Sequence, residues 1–260
     1  MNTNRLKEKL QKGKTAVGTF VRMDSISVEI LGRTGWDFVI IDVEHGVHTM
    51  EDVSNMIRAA RAAGITSIVR VPGTAPIHIQ RSLDAGADGV QIPQLTSIVE
   101  ADAAIKAARY YPYGNRGACA YSAATGYSTI PFPEHIETSN SEAMVVVHVE
   151  NAWMADHIEA LLELNGIDVV FCGPWDMSQS LGIPGQTKDP LVTDRIDKVL
   201  MACREKGVPS GIFVQKPEDA DPWLEKGVTY LTCSVDVGIF ADAARVIADD
   251  LKARVRERER

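Results

Sequence analysis

The stretch MEDVSNMIRAARAAGITSIVRV, residues 50–71, contains one complete structural unit: an amphipathic segment, a glycine and a short apolar run. Val53, Met56 and Ile57 recur at spacings of three and four, the period of one face of an α-helix. Gly64 follows this segment, and glycine ends helices because it adopts the left-handed conformation at little cost. The run ITSIVRV lacks alternation and is rich in Ile and Val, which is typical of a strand buried on both faces of a parallel sheet.

The same unit recurs along the chain, and two further apolar runs complete a set of eight. The other runs are TAVGTFV near residue 15, WDFVIID after Gly35, ADGVQIP after Gly86, MVVVHVE near residue 144, IDVVFCG after Gly166, VPSGIFV after Gly207 and VTYLTCS after Gly227. Eight β–α units predict a single (β/α)8 barrel, the TIM barrel, as one α/β domain over residues 1–260. The alternative is a doubly wound sheet, which usually carries a glycine-rich phosphate loop after its first strand; GxGxxG is absent here.

One segment departs from this pattern. Residues 110–141 are rich in Tyr, Pro, Gly, Ser and Thr and show no helical periodicity. A loop of this length inside a compact domain is usually functional or an oligomer contact. The C-terminal ADAARVIADDLKARVRERER predicts a helix whose charged last turns are solvated.

Composition excludes several classes of protein. The 260 residues are 45% hydrophobic and 24% charged, the mix of a globular protein. A net charge of −8 argues against nucleic-acid and anionic-membrane partners. No apolar run approaches the ~18 residues of a membrane span, and the N-terminus lacks the apolar stretch of a secretory signal. Four widely spaced cysteines without CxxC indicate reduced thiols. These features predict a cytoplasmic enzyme or binding protein.

Polar residues collect where the predicted strands end. In a barrel of this kind the chemistry lies at the carboxyl ends of the strands and in the loops that follow. The residues of this kind are Asp42, Glu44, His45, Arg70, Gln91, Gln94, His148, Glu150, Asp176, Gln215, Lys216 and Asp236.

Three of these residues are candidates for binding charged groups: one is a cation and two are carboxylates. Arg70 lies in an apolar strand, and a buried arginine costs several kcal/mol unless it is paired. It therefore either forms an ion pair with a neighbouring strand's carboxylate or binds an anionic ligand. Glu150 and Asp176, on adjacent strands, suit a hard divalent cation such as Mg²⁺ or Mn²⁺, although two acids alone are a weak metal signal.

His45 is interpreted as a proton carrier, because an imidazole both accepts and donates near neutral pH. The alternatives are a polar residue in a helix-entry loop, or a zinc ligand together with His48, although no cysteine or third histidine accompanies that pair. No lysine falls inside an apolar strand, Lys216 being the one possible exception, so a metal-stabilised enolate is favoured over a Schiff base.

The residues Gly173, Pro174, Trp175 and Asp176 run from a predicted strand into a short helix. Backbone N–H groups at a helix start attract carboxylates and phosphates. A small acid held by this backbone would keep its other oxygens free for a metal ion.

Taken together, several segments resemble one family over nearly the whole chain: the HpcH/HpaI aldolases, metal-dependent class II aldolases of 2-oxo acids. The segments are FVIIDVEHGVHTMEDV, VRVPGTAPIHIQRSLDAGADGVQIPQL, RYYPYGNRG, VVVHVEN and GIDVVFCGPWDMSQSLGIPG. The resemblance implies a (β/α)8 barrel whose last helix is exchanged with a neighbouring subunit. It also implies a homo-oligomer, usually a hexamer assembled as a trimer of dimers.

The resemblance further implies a role for each matching residue. These are His45 as acid/base, Asp84 as the aspartate that raises its basicity, Arg70 as enolate stabiliser, Glu150 and Asp176 as metal ligands, Trp175 as the substrate-binding backbone position, and Asp42 as a further active-site acid.

Two departures from the family pattern bear on substrate. His148 stands where the family usually has Gln, and we expect it to donate a hydrogen bond to the bound oxo acid or to join the metal shell. The segment ACAYSAATGYS after Gly117 lacks the basic residues of relatives that use dicarboxylic substrates. It therefore predicts an uncharged acceptor near Tyr121 or Tyr127.

The predicted activity is reversible C–C bond formation between the enolate of pyruvate, or of a hydroxypyruvate-like 2-oxo acid, and an aldehyde. It would use Mg²⁺, Mn²⁺ or Co²⁺ and no organic cofactor. One alternative is an acyl-CoA lyase related to citrate lyase, although the sequence shows no Lys/Arg cluster for the CoA phosphates at the strand ends. The other alternative is a non-catalytic protein that binds a metal ion and a 2-oxo acid.

Overall fold

A computed structural model describes residues 3–259. Eight parallel strands close into a barrel in which each strand pairs with the next along the chain and the last with the first. The strands are β1 (Ala16–Val21), β2 (Phe38–Asp42), β3 (Thr66–Arg70), β4 (Gly89–Ile92), β5 (Met144–Val149), β6 (Val169–Cys172), β7 (Ser210–Val214) and β8 (Tyr230–Val235). The closed sheet confirms the predicted (β/α)8 barrel and excludes the doubly wound alternative.

Helices surround the sheet and return the chain from one strand to the next. They are α1 (Arg5–Gln11), α2 (Ser25–Arg33), α3 (Met50–Ala63), α4 (Pro76–Asp84), α5 (Ile98–Ala107), α6 (Phe132–Glu142), α7 (Ala152–Asp156), α8 (Ile158–Leu162), α9 (Pro174–Ser180), α10 (Pro190–Lys206), α11 (Asp221–Glu225) and α12 (Asp236–Arg258), with 3₁₀ turns at Ala123–Thr125 and Pro217–Asp219. All eight strands run in the same direction, so each returning helix runs back to the end of the barrel where the strands begin, its amino-terminal face. The helices α3 and α4 therefore end beside that face.

The unit at residues 50–71 forms as its sequence predicts. Thr49 caps α3, because its side chain accepts a hydrogen bond from the backbone N–H of Asp52 and the Asp52 carboxylate accepts one from the backbone N–H of Thr49. Gly64 ends the helix with a φ of 74°. This reciprocal capping satisfies donors that the first helical turn leaves without partners.

Two apolar layers hold the fold together. One lies between the strands and the helices, and the other fills the barrel interior. In the interior the rings of Phe38 and Tyr230 lie 4.3 Å apart. Gly18 leaves room for Phe38, since a Cβ at that position would come within 2.3 Å of its ring.

The prediction of a continuous loop over residues 110–141 is wrong in part, because α6 lies within it. Its buried residues are His135 and Ser139, so the helix packs through polar side chains. The sequence therefore shows no apolar period, which is the signal on which helix prediction depends.

The helix α12 extends from β8 with large apolar side chains exposed. These are Val237, Ile239, Phe240, Val246, Ile247, Leu251 and Val255. Exchange of this helix with a neighbouring subunit stays a prediction. Among the described residues, the helices are too short or too polar to span a lipid bilayer.

Candidate active site

Three neighbouring strands bring together a buried aspartate and two arginines at the carboxyl end of the barrel. Asp42 ends β2 and is fully buried. Arg70 ends β3, and its Nε and Nη2 donate to the two Asp42 oxygens at 2.9 Å and 2.8 Å. Arg22 follows β1 directly, and its Nε donates to the same carboxylate at 2.6 Å. Burial raises the pKa of Asp42, but the two arginines and the backbone N–H of His45 outweigh it and lower that pKa to about 2.

Arg70 has a second anionic partner. Its Nη1 lies 3.0 Å from Oε2 of Glu44, and its guanidinium lies 4.6 Å from the centre of the Phe20 ring. The expectation that Arg70 needs an anionic partner is therefore confirmed. A guanidinium has five N–H donors in a fixed plane. Two of them donate to Asp42, and Nη1 forms an ion pair with Glu44, so N–H donors on both terminal nitrogens remain for a ligand.

Glu150 follows β5 and is held by its neighbours. Its Oε2 lies 2.7 Å from Nδ1 of His148, and its Oε1 accepts a hydrogen bond from the backbone N–H of Gln94. Burial raises the pKa of Glu150, but His148, Gln94 and Arg70 together lower it below the ordinary glutamate value. Glu150 is therefore fixed as a carboxylate at the rim of the barrel.

His148 lies within β5 and is buried. Its ring stacks on Phe171 at 4.9 Å, and its Nε2 lies 2.6 Å from Nε2 of Gln91. Because Glu150 engages the other ring nitrogen, both nitrogens have partners within the chain. The geometry therefore gives His148 the task of holding Glu150 and leaves no free ring nitrogen for a bound oxo acid.

Asp176 lies in the first turn of α9, after β6. Burial and the negative charge of Glu150 raise its pKa above the ordinary aspartate value. The carboxylate of Glu150 thus disfavours the ionisation of Asp176, and a pair of carboxyl groups supplies the oxygen atoms that a hard cation prefers. Among residues 3–259, no group of three or more His, Cys, Asp or Glu side chains is placed to hold a metal ion.

His45 lies in the loop after β2, close to this group. Its side chain is half exposed, and its Nε2 lies 3.7 Å from Oε2 of Glu44. Its backbone N–H donates to Asp42 at 3.2 Å, which fixes the loop. The imidazole is therefore accessible to a small molecule at the barrel mouth.

A cavity of about 200 Å³ lies at this end of the barrel, and Asp42 and Glu44 stand behind its wall. Eight predicted residues line it: His45, Arg70, His148, Glu150, Gly173, Pro174, Trp175 and Asp176. A second cavity of about 310 Å³ shares Pro174, Trp175 and Phe213 with it as walls.

Sequence reasoning missed five residues of the cavity wall, which are Phe20, Arg22, Phe171, Phe213 and Val235. Arg22 was open to prediction, because it follows the first predicted strand directly and strand ends position the chemistry of such barrels. The aromatic residues could not be assigned to the cavity from the sequence. Phe20 and Phe171 lie in apolar strands, where the pattern predicts burial but not contact with a ligand.

Several predicted residues lie elsewhere. Asp84 ends α4 beside the amino-terminal face, and its carboxylate accepts a hydrogen bond from Arg116 at 2.6 Å. A helix that returns the chain ends at the face opposite the strand ends, so within one chain Asp84 does not meet His45. Asp236 is buried and accepts hydrogen bonds from the backbone N–H groups of Arg22 and Met23, which makes it a structural residue.

The segment expected beside the acceptor also lies at the amino-terminal face. Ala123, Ala124 and Gly126 line a cavity together with Thr66, at the start of β3, and Asp88, just before β4. Tyr121 and Tyr127 are exposed. The expectation that they contact the acceptor is therefore not met within a single chain.

The chain is similar to known proteins over almost all of its length. Residues 17–243 match the sequence profile of the HpcH/HpaI aldolase/citrate lyase family. A protein of Klebsiella pneumoniae named 5-keto-4-deoxy-D-glucarate aldolase is 30% identical over 96% of this chain and 97% of its own.

Two solved structures show the same similarity. A HpcH/HpaI aldolase/citrate lyase family protein of Burkholderia cenocepacia superposes with a TM-score of 0.91 at 30% identity, covering 96% of this chain and all of its own. A HpcH/HpaI aldolase of Desulfitobacterium hafniense gives 0.89 at 29% identity, covering 96% and 97%. The chain therefore belongs to the HpcH/HpaI aldolase/citrate lyase family and is a carbon–carbon lyase.

Proposed function

We propose that the protein is a divalent-metal-dependent aldolase that joins the enolate of pyruvate, or of a similar 2-oxo acid, to an aldehyde and cleaves the product again. The observation that supports this most is a single cavity of about 200 Å³ that holds a pair of carboxylates, an arginine with free donors and an accessible imidazole. These are the groups that enolate chemistry needs: a cation site, a stabiliser of the oxyanion and a proton carrier.

Glu150 and Asp176 fit a divalent ion by the chemistry of their donors. Both side chains supply hard oxygen atoms, and the charge of Glu150 opposes ionisation of Asp176, a repulsion that a cation relieves. We therefore propose these two side chains as the ligands of Mg²⁺, Mn²⁺ or Co²⁺. The chemistry that a bound ion would supply is Lewis acidity, which acidifies the C–H bond next to the keto group.

Trp175 and Arg70 bind the donor substrate in this proposal. Trp175 lies in the first turn of α9, and no side chain caps that helix. Its backbone N–H is thus placed to bind the carboxylate of the 2-oxo acid. The remaining N–H donors of Arg70 hold the enolate oxygen, and the Asp42 pair keeps the guanidinium in position before substrate arrives.

His45 moves the proton. Its ring lies in the cavity wall, and the half-exposed side chain is free to take a proton from the carbon next to the keto group and to return it. Asp84 would raise the basicity of His45 only if the aspartate came from another copy of the chain. The Asp84 of the same chain lies at the opposite face of the barrel. We therefore place Asp84 in the mechanism as part of a homo-oligomer, the hexamer that the family resemblance implies, for which the exposed apolar side chains of α12 supply a contact surface.

Proton exchange tests this proposal with the donor substrate alone, so that no aldehyde has to be chosen. Pyruvate is incubated in D₂O with the protein and Mn²⁺ or Mg²⁺, and loss of the methyl signal is followed by NMR. We expect exchange that stops with EDTA and is absent from His45→Gln. A protein that only binds the oxo acid would show no exchange, and that result would reject the proposed activity.

A further inference from the structure

We propose that Arg22 binds a carboxylate group on the acceptor aldehyde, so that the enzyme prefers aldehydes that carry an acid group. The inference rests on the proposed aldolase function and adds a specificity-determining residue to it. It departs from the uncharged acceptor expected from the sequence of residues 118–128.

Two contacts fix Arg22 at the mouth of the barrel. Its backbone N–H donates to the buried carboxylate of Asp236 at 2.9 Å, which fixes the main chain just after β1. Its side-chain Nε donates to Asp42 at 2.6 Å, which fixes the guanidinium plane. An arginine held at both points loses little freedom when a ligand arrives, and this preorganisation favours binding.

The two terminal amino groups of Arg22 remain available. Within residues 3–259 they form no hydrogen bond, although the side chain is only one third exposed and lines the 200 Å³ cavity. The outer edge of a guanidinium presents two parallel N–H donors, which match the two oxygens of a carboxylate. Arg70 cannot take this role as readily, because it donates two hydrogen bonds to Asp42 and its charge is also paired with Glu44.

The barrel topology places Arg22 opposite the proposed metal site. In a closed barrel of eight sequential strands, β1 lies across the mouth from β5. Arg22 follows β1, and Glu150 follows β5. A 2-oxo acid held near Glu150 and Asp176 therefore has its acceptor on the side of Arg22. The rest of the wall on that side is apolar and consists of Phe20, Phe213 and Val235. Arg22 therefore supplies the positive charge on the acceptor side of the cavity.

The sequence-based argument for an uncharged acceptor used the lack of basic residues after Gly117. That segment borders a cavity at the amino-terminal face of its own chain, where Thr66 begins β3. Within a single chain, its composition therefore does not set the charge on the acceptor side of the mouth. Arg22, which the sequence argument did not consider, lies there instead.

The test compares two small acceptors that differ in charge, glyoxylate and glycolaldehyde, each with pyruvate and Mn²⁺. We measure kcat/KM for both acceptors with the wild type, Arg22→Gln and Arg22→Lys. We expect the glyoxylate-to-glycolaldehyde ratio to fall at least tenfold in Arg22→Gln and to recover in part in Arg22→Lys. Because a ratio is measured, any loss that both acceptors share through Asp42 cancels.

Three results would overturn the proposal. The first is an unchanged ratio, and the second is a rise in KM for pyruvate with no change in acceptor preference, which would assign Arg22 to the donor. The third is the absence of metal-dependent pyruvate proton exchange in the wild type, which would reject the aldolase function itself. Exchange in the wild type with an unchanged ratio would reject the role of Arg22 alone.

Discussion

Arg70 binds Asp42 through both carboxylate oxygens, at 2.9 Å and 2.8 Å, from the paired position on the next strand. The register of β2 and β3 sets this contact, so the sheet itself orients the guanidinium. Arg22 donates to the same carboxylate from the other side. The aspartate therefore positions two cationic side chains that point into one cavity, and its removal affects both.

Replacing Asp42 tests this arrangement. Asp42→Asn keeps the shape of the side chain but leaves buried Arg70 without its full counter-charge. Breaking a buried ion pair by removing one partner costs about 3 kcal/mol or more. We expect a loss of this order in the free energy of unfolding, measured by urea denaturation. The control is Asp37→Asn, because Asp37 lies at the other end of the same strand and forms an ion pair with Lys9. An equal loss in the control would count against a special role for the buried pair.

The same aspartate predicts a pH dependence of stability. Its folded pKa is about 2, below the unfolded value of about 3.9. The contribution of the carboxylate is therefore complete above the unfolded pKa and is lost as the pH falls towards 2. The difference in unfolding free energy between wild type and Asp42→Asn should stay constant from pH 5 to 8 and shrink below about pH 4. A difference that shrinks as the pH rises from 5 to 8 would contradict the assignment.

Arg70 is expected to act on the rate more than on binding. Loss of a preorganised donor to a developing oxyanion lowers kcat by about 10²- to 10³-fold. Arg70→Ala should therefore lower kcat far more than it raises KM for pyruvate, as measured by initial rates. Arg58→Ala, an exposed arginine of α3, serves as the control and should change neither. Comparable effects of Arg70→Ala on kcat and KM would argue against enolate stabilisation.

The metal ligands are tested by direct binding. Glu150→Gln and Asp176→Asn preserve size but each removes one negative charge from the proposed site. We expect each to weaken Mn²⁺ binding at least tenfold, roughly the lower limit for damage to a metal site, as measured by electron paramagnetic resonance titration. The control is Glu163→Gln, whose exposed carboxylate pairs with Lys206. Wild-type affinity in both variants would remove the basis for metal dependence.

Asp84 is expected to have two separable effects. Its partner Arg116 is buried, so Asp84→Asn should lower the unfolding free energy by about 2–3 kcal/mol. If Asp84 also acts on His45 of another copy, coexpression of Asp84→Asn with His45→Gln subunits should restore pyruvate proton exchange that neither variant shows alone. No restoration in mixed oligomers would confine Asp84 to its structural pair.

The sequence alone determined the repeating unit and hence the barrel. The helix of residues 50–63 and its end at Gly64 form as predicted, because these signals are local and each depends on residues a few positions apart. The same reasoning placed Glu150, Asp176, His45 and Arg70 at the ends of strands. Closure of the barrel brings these residues, distant in sequence, to one cavity.

Only the tertiary structure decided which neighbours these residues have. Arg22, two strands from Arg70 in the sheet, reaches the same aspartate, and Asp84 lies at the opposite face with Arg116. The helix α6 was missed because it packs through polar side chains. Position along a strand can be inferred from a local pattern, but side-chain partners depend on strand register and on the direction of the returning helices, which a linear sequence does not display.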